Sequence, residues 1–309
     1  MTDLTPDFAA NSPVEMMIVP PLRDLGDGFN VRRALPNAGR RMVGPFIFLD
    51  QMGPVAFTPD QALDVRPHPH IGLATLTYLL DGAIMHKDSL GSEQVIEPGA
   101  VNWMTAGQGI VHSERTPEGL RGQQGGLFGL QTWLALPTQY EETAPEFFHY
   151  GAGGIPRDGD KGFHLSVIAG QIDGMVSPVK TYSDVLCGDL VLVPGGRYRL
   201  AADHVERAAY VVHGEVAVEG QEGSFATSQL IIFKPGAEVV ISSANGARIF
   251  LIGGEPFAEK RYVYWNFVSS RADRIEQAKQ DWREGRFGPV PGEHEFIPLP
   301  EDVPGVKLK

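Results

Sequence analysis

The chain has 309 residues, of which 42% are hydrophobic and 21% are charged, a composition that is typical of folded domains and excludes a wholly disordered chain. At roughly 150 residues per domain, this length predicts two domains. The formal net charge is −12 and the basic residues are scattered. We therefore expect no direct binding of nucleic acid, since a phosphate backbone attracts concentrated positive charge.

The cysteine content and the first residues bear on the compartment of the protein. MTDLTPDFAANSPVEMM lacks the basic and apolar regions of a secretory signal. The single cysteine, Cys187, cannot form a disulfide within the chain and is interpreted as a structural thiol. No stretch reaches the roughly 18 apolar residues that a membrane span requires. These features predict a cytoplasmic protein without a membrane-embedded part.

Short strands separated by turn residues are predicted along most of the chain. In order, the apolar and β-branched runs are GPFIFLD, ATLTYLLDG, VNWMTAG, LQTWLAL, HLSVIAG, YVVHG, LIIFKPG and ARIFLIGG. This spacing is typical of antiparallel β-sandwiches and barrels. Near the end, RADRIEQAKQDWREG places Ile275, Ala278 and Trp282 at helical spacing. The predicted fold class is therefore all-β with a short C-terminal helix.

The predicted domain boundary falls in a segment rich in Gly, Pro and charge. Residues 138–162 show no sustained hydrophobic period and are interpreted as a linker. The two halves are faintly similar, because YLLDG precedes VNWMTAG in the first half and YVVHG precedes LIIFKPG in the second. This repeat predicts a duplicated β-domain, with residues 1–137 and 163–309 as its halves.

The strongest chemical pattern consists of two donor pairs at strand spacing. RPHPH contains His68 and His70, and the later GIVHSE contains His112 and Glu114. Residues two apart in a strand point to the same face, so two adjacent strands could direct three imidazoles and one carboxylate to a common point. Nitrogen and oxygen donors without a thiolate suit iron, manganese, nickel, copper, cobalt or zinc. One His-x-His pair alone is more often a surface pair, but the second pair favours a metal site.

Other polar and aromatic residues have less specific interpretations. Four residues on predicted strands could line an aromatic-binding cavity or belong to the apolar core; they are Trp103, Met104, Gln131 and Trp133. The remaining histidines are interpreted as structural or solvated; they are His86, His149, His164, His204, His213 and His294.

Several stretches resemble the pirin family of the cupin superfamily. They are VGPFIFLDQMGP, RPHPHIGLATLTYLLDG, EPGAVNWMTAGQGIVHSE and GLQTWLALP, and the late WNFVSS before a helix is similar to the C-terminal region of that family. The resemblance covers nearly the whole chain. It implies two cupin domains in tandem, with a metal-binding domain at 1–137 and a degenerate domain at 163–309 that includes the helix and tail.

The resemblance also implies the ligands and the ion. Carried over residue by residue, the ligands are His68, His70, His112 and Glu114, and the expected ion is Fe(II), with Mn, Ni, Cu, Co or Zn as alternatives. The internal repeat maps these four residues onto Leu200, Ala202, Ile241 and Ser243. Since none of the four suits a metal ion, the second domain is expected to hold none.

Several members of this family are quercetinases, which open the heterocyclic ring of a flavonol with O₂. The resemblance therefore implies a quercetin 2,3-dioxygenase type of enzyme, acting on a flavonol or a related enol-bearing aromatic. Glu114 is the candidate base for the substrate proton, and permanent ligation is its other interpretation. The alternative function is a metal-dependent, redox-sensing regulatory protein that binds a transcription factor or a metabolic enzyme.

Overall fold

The computed structural model describes residues 11–24 and 30–301. The strands are β1 (Val14–Ile18), β2 (Leu22–Asp24), β3 (Asn30–Leu35), β4 (Phe46–Phe57), β5 (Asp64–His70), β6 (Leu73–Asp81), β7 (Ile84–Asp88), β8 (Glu93–Ile96), β9 (Val101–Thr105), β10 (Ile110–Arg115), β11 (Gly125–Ala135), β12 (Glu146–Tyr150), β13 (Arg157–Gly159), β14 (Phe163–Ile172), β15 (Met175–Val176), β16 (Val185–Leu192), β17 (Arg197–Leu200), β18 (Glu206–Val218), β19 (Phe225–Ala226), β20 (Leu230–Phe233), β21 (Val239–Ser242), β22 (Ala247–Gly254), β23 (Tyr262–Tyr264) and β24 (Phe267–Ser269). The helices are three short 3₁₀ turns, Glu118–Leu120, Thr138–Tyr140 and Ala152–Gly154, and α1 (Ala272–Arg283). The all-β class and the short C-terminal helix are thus confirmed.

The described chain forms two compact units, each assembled from separate stretches of sequence. Unit 1 contains residues 11–23, 31–50 and 153–256, and unit 2 contains residues 24, 30, 51–152 and 257–301. The chain therefore passes from one unit to the other several times.

This interleaving differs from the predicted division into residues 1–137 and 163–309. β1 pairs with β20 inside unit 1, so an N-terminal strand completes the sheet of the C-terminal half. The segment interpreted as a linker, 138–162, contains β12, which pairs with β9, and β13, which pairs with β14. The pattern of a single strand does not reveal its distant partner. Continuous domains bounded by a linker at 138–162 remain a sequence-based prediction, whereas the compact units are discontinuous.

Unit 1 is built on an antiparallel sheet with the strand order β1-β20-β18-β22-β16-β14-β13. Leu200 and Ile241, onto which the internal repeat maps two metal ligands, contribute their side chains to an extensive apolar core. The hydroxyl of Ser243 donates a hydrogen bond to the backbone carbonyl of Glu215 at 2.7 Å. Apolar burial at Leu200 and Ile241 therefore stabilises the interior of unit 1.

Unit 2 contains two facing antiparallel sheets. One includes the strand order β12-β9-β6-β11, and the other has the order β5-β10-β7-β8. Side chains from the two sheets meet, since Trp133 of β11 packs edge-on against His70 of β5 with ring centroids 5.1 Å apart. Phe147 of β12 stacks on His86 of β7 at 4.2 Å. The space between these sheets is therefore lined by histidines and aromatic rings.

Helix α1 covers part of unit 2 with the apolar face that its spacing predicts. Ile275 and Ala278 are fully buried and pack in one cluster with Ile71 and Phe267. The helix ends where Gly285, with a φ of 67°, donates its N–H to the carbonyl of Trp282, a backbone conformation that glycine adopts at low cost. In the part of the chain that the structure describes, no helix has the length and apolar character needed to cross a membrane.

A buried ion pair fastens the C-terminal segment within unit 2. Glu141 and Arg261 are 4% and 2% exposed, and Arg261 Nε lies 3.0 Å from Glu141 Oε1. The same carboxylate accepts hydrogen bonds from the backbone N–H and the hydroxyl of Ser270, each at 2.8 Å. Removing one partner of such a pair leaves the other charge buried without compensation.

We expect Glu141→Ala to lower the free energy of unfolding by roughly 3 kcal/mol, because the buried Arg261 would keep only the exposed Glu259, at 4.0 Å, as an anionic partner. Urea denaturation followed by circular dichroism measures this change. Glu142→Ala is the matched control, since the side chain of Glu142 is 55% exposed and pairs with Arg274 at the surface. Equal unfolding midpoints for the two variants would show that the buried pair does not stabilise the fold.

Candidate metal centre

Three histidines converge between the facing sheets of unit 2. His68 and His70 lie two residues apart on β5, and His112 lies directly opposite His68 on β10. Their donor nitrogens all lie within 4.8 Å of one another, and all three side chains are buried. Across residues 11–24 and 30–301, this is the one group of three or more candidate ligands that lies so close together. The structure therefore brings together three of the four predicted ligands.

Burial keeps these imidazoles in the form that binds metal ions. Loss of hydration lowers the pKa of His68 to about 4, although its hydrogen bond to the backbone of Arg66 acts in the opposite direction. Burial, with repulsion from neighbouring histidines, also holds the pKa values of His70 and His112 well below the ordinary value. A neutral imidazole retains the lone pair that a metal ion requires.

The distances within the cluster also fit an ion. Two nitrogens that bind one ion at about 2.1 Å and at a right angle lie about 3.0 Å apart. The Nε2 atoms of His70 and His112 are 3.0 Å apart. The ring of His68 is oriented by a hydrogen bond of 2.9 Å between its Nδ1 and the carbonyl of Arg66, which leaves Nε2 as the donor to an ion. The three residues therefore form a histidine-rich metal site.

Glu114 follows His112 by two residues on β10 but lies outside the group of converging nitrogens. The pairing with β5 is irregular at this point, since His112 faces His68 whereas Glu114 faces Val65. Burial raises the pKa of Glu114, partly offset by His86 and by the hydroxyl of Thr77. A carboxylate with a raised pKa is well suited to accept a proton. Ligation by Glu114 stays a prediction.

Three of the four residues with an open interpretation face the histidines. Trp133 contacts His70, and Gln131 shares its face because it lies two residues earlier on β11. Met104 lies opposite the same residue of β6 as Trp133 and therefore points to the same side. Trp103 points to the other side, where it is 1% exposed. Trp103 thus belongs to the core, whereas the other three flank the metal site.

His86, interpreted from the sequence as structural or solvated, lies inside the site together with Asp88. Both residues are on β7, where Asp88 is directly opposite His112 and His86 is directly opposite Glu114. His86 Nδ1 is 3.4 Å from His112 Nδ1, and both His86 and Asp88 are buried. A signal for them existed, because His86-Lys87-Asp88 is a third donor pair at strand spacing.

Two β-sheet units, one with a histidine cluster between its sheets, define a cupin protein with two domains. Comparison with known families agrees, since residues 28–134 match the model of the family described as Pirin, and residues 187–288 match the model described as Pirin C-terminal cupin domain. The chain belongs to the pirin family. The predicted family and the tandem cupin domains are thus confirmed.

Known proteins similar to this chain cover most of its length. A pirin-like protein of Caulobacter vibrioides is 50% identical over 283 residues, which are 90% of this chain and 96% of the relative. A crystal structure of quercetin 2,3-dioxygenase from Acinetobacter baumannii is 33% identical, with a TM-score of 0.87, and covers 94% of this chain and 97% of its own. A bacterial pirin of Escherichia coli in complex with nickel(II) shares the fold at 18% identity and a TM-score of 0.61, covering 77% of this chain and 96% of its own.

The low pKa values predict that metal-free protein loses stability in acid. For His68, the unfolded chain binds more protons than the folded chain between pH 6.5 and about 4, so stability falls as the pH falls through this window. The loss attributable to His68 is about 2 kcal/mol from pH 7 to pH 5. Urea denaturation of the metal-free protein at both pH values measures it.

His68→Gln should reduce this pH dependence, whereas substitution of the exposed His164 by Gln should leave it unchanged. The same pH dependence in the wild-type protein and in His68→Gln would contradict a buried, neutral His68.

Proposed function

We propose that the protein is a cytoplasmic, Fe(II)-dependent dioxygenase of the quercetin 2,3-dioxygenase type, acting on a flavonol or a related enol-bearing aromatic. The observation that carries this proposal is the convergence of three buried, neutral imidazoles within 4.8 Å. The similarity to the quercetin 2,3-dioxygenase of Acinetobacter baumannii, over 94% of this chain, supports the reaction type.

The proposed ligands are His68, His70, His112 and Glu114. Nitrogen and oxygen donors suit Fe(II), and they also suit manganese, nickel, copper, cobalt and zinc. When bound, the ion would supply Lewis acidity toward the deprotonated substrate oxygen and redox chemistry with O₂. The neutral state of the three imidazoles means that no proton has to leave them before they bind it.

Glu114 is the group proposed to accept the proton of the substrate hydroxyl. Thr77 Oγ1 lies 2.8 Å from Gln131 Oε1 and 3.5 Å from Glu114 Oε1. A hydroxyl has one hydrogen, so it donates to one of these oxygens at a time, and the shorter distance favours Gln131. Oε1 of Glu114 therefore receives at most a weak hydrogen bond from Thr77, and the carboxylate keeps its basicity.

The side chains beside the histidines favour a flat aromatic substrate. Met104 and Trp133 present apolar surface on the same side of their sheet. Phe147 adds a ring that is stacked on His86 with an interplanar angle of 10°. Apolar and aromatic walls around a few polar groups are typical of sites for small organic ligands.

Protein loaded anaerobically with Fe(II) and then mixed with quercetin and O₂ should consume oxygen and bleach the flavonol absorbance. We expect Glu114→Gln to lower the rate roughly 10²–10⁴-fold while iron remains bound, because the general base is lost. An oxygen electrode, an absorbance trace and elemental analysis measure the three quantities. Glu118→Gln is the control, since the side chain of Glu118 is 94% exposed.

Absence of turnover in wild-type protein with verified iron would overturn the dioxygenase proposal and favour the redox-sensing alternative. Loss of iron from Glu114→Gln would show that the three histidines alone do not hold the ion. Glu114 would then be a required ligand, and its role as the base would be overturned. Unchanged turnover in this variant would exclude both roles.

A further inference from the structure

A buried pair of side chains on β7 lies directly behind one of the proposed ligands. His112 Nδ1 is 3.4 Å from His86 Nδ1, and His86 Nε2 is 3.0 Å from Asp88 Oδ2. The exposed fractions of His86 and Asp88 are 4% and 0%. Stacking against Phe147, with ring centroids 4.2 Å apart, fixes the plane of the His86 ring. The three polar residues thus form a continuous row that ends at the histidine cluster.

Backbone donors fix the orientation of the Asp88 carboxylate. Its Oδ1 accepts hydrogen bonds from the N–H groups of Leu90 at 2.9 Å and Ser92 at 3.0 Å. Oδ2 is consequently the oxygen directed at His86. Burial acts to raise the pKa of Asp88, but the hydrogen bonds with His86 and Ser92 outweigh it and lower the pKa below the ordinary value. Asp88 is therefore an ionised acceptor.

The direction of each hydrogen bond along this row follows from Asp88. An ionised carboxylate only accepts, so Nε2 of His86 must carry the hydrogen. Nδ1 of His86 lies 3.4 Å from Nδ1 of His112. In the His86 tautomer with its hydrogen on Nε2, Nδ1 is an acceptor, and the N–H of His112 Nδ1 is the donor that faces it. His112 Nε2 is left with its lone pair, and this is the atom that lies 3.0 Å from His70 Nε2 inside the cluster.

We propose that Asp88 and His86 are positioning residues that hold His112 in the tautomer with hydrogen on Nδ1, so that Nε2 is presented to the metal ion. The carbonyl of Arg66 performs the same task for His68. The inference rests on the metal site proposed above but not on the dioxygenase reaction.

Asp88→Asn tests the proposal, because it reverses the direction of the hydrogen bonds between residues 88, 86 and 112 with little change in side-chain volume. Leu90 and Ser92 still require an acceptor, so the amide oxygen of the new side chain stays at the Oδ1 position and its NH₂ faces His86 Nε2. His86 then carries its hydrogen on Nδ1, opposite the N–H of His112. To avoid two facing donors, His112 must move its hydrogen to Nε2, where it blocks the lone pair.

The full-length variant should bind Zn(II) and Co(II) roughly 10–100-fold more weakly than wild type, the range seen when partners of metal ligands are replaced. Competition with a chelator measures the affinity. Nitrogen-15 shifts of labelled histidine in the metal-free protein should show the hydrogen of His112 on Nδ1 in wild type and on Nε2 in the variant. Lys87→Gln is the matched control, because Lys87 lies between the two residues on β7 but is paired with Glu93 at the surface.

A second comparison separates positioning from simple packing. His86→Phe keeps a ring against Phe147 but offers no acceptor, whereas His86→Asn places an amide oxygen near the position of Nδ1. His86→Asn should therefore bind Zn(II) several-fold more tightly than His86→Phe.

Three outcomes would overturn the proposal: wild-type affinity in Asp88→Asn, an unchanged His112 tautomer in Asp88→Asn, or equal affinities in the two His86 variants. Tight Zn(II) binding by a wild-type protein that does not turn over quercetin would overturn the dioxygenase proposal alone.

Discussion

The inner face of the sheet β5-β10-β7-β8 carries several polar side chains that are largely buried. The need to give each of them a partner governs the structure of unit 2. A buried donor or acceptor without a partner costs roughly 1–3 kcal/mol, so each group must contact another or an ion. Sheet register brings such groups together, because residues directly opposite one another share a face. The six groups are His68 and His70 on β5, His86 and Asp88 on β7, and His112 and Glu114 on β10.

The same constraint explains which parts of the site the sequence could predict. Strand alternation is a local rule, so His68 with His70 and His112 with Glu114 could be placed on shared faces without a structure. Alternation also separates Trp103 from Met104, but it does not tell which of the two points inward. The residue that points inward depends on which face of β9 meets the second sheet. The neighbouring residues in the sequence do not indicate this face.

The spacing of His86 and Asp88 marks a donor pair, but the sequence alone does not assign a role to Asp88. Its role emerges only when β7 pairs with β10 and brings Asp88 opposite His112. The interleaving of the two units was not predicted for a related reason. Helix α1 has a recognisable apolar face, but Ile71, one partner of that face, lies about 200 residues away in sequence.

A polar interior has a consequence for how unit 2 is held together. Unit 1 fills its centre with side chains such as Leu200 and Ile241, whereas the space between the sheets of unit 2 contains the buried histidine cluster. The C-terminal segment compensates at the end of the ligand strand, since Ile71 directly follows His70 and packs with Phe267 and Ile275. A ligand site requires side chains held to within about 0.5 Å. The apolar contacts of Ile71 therefore stabilise the three histidines through the backbone of β5. The hydrogen bonds of His86 and Asp88 stabilise them through the ring of His112.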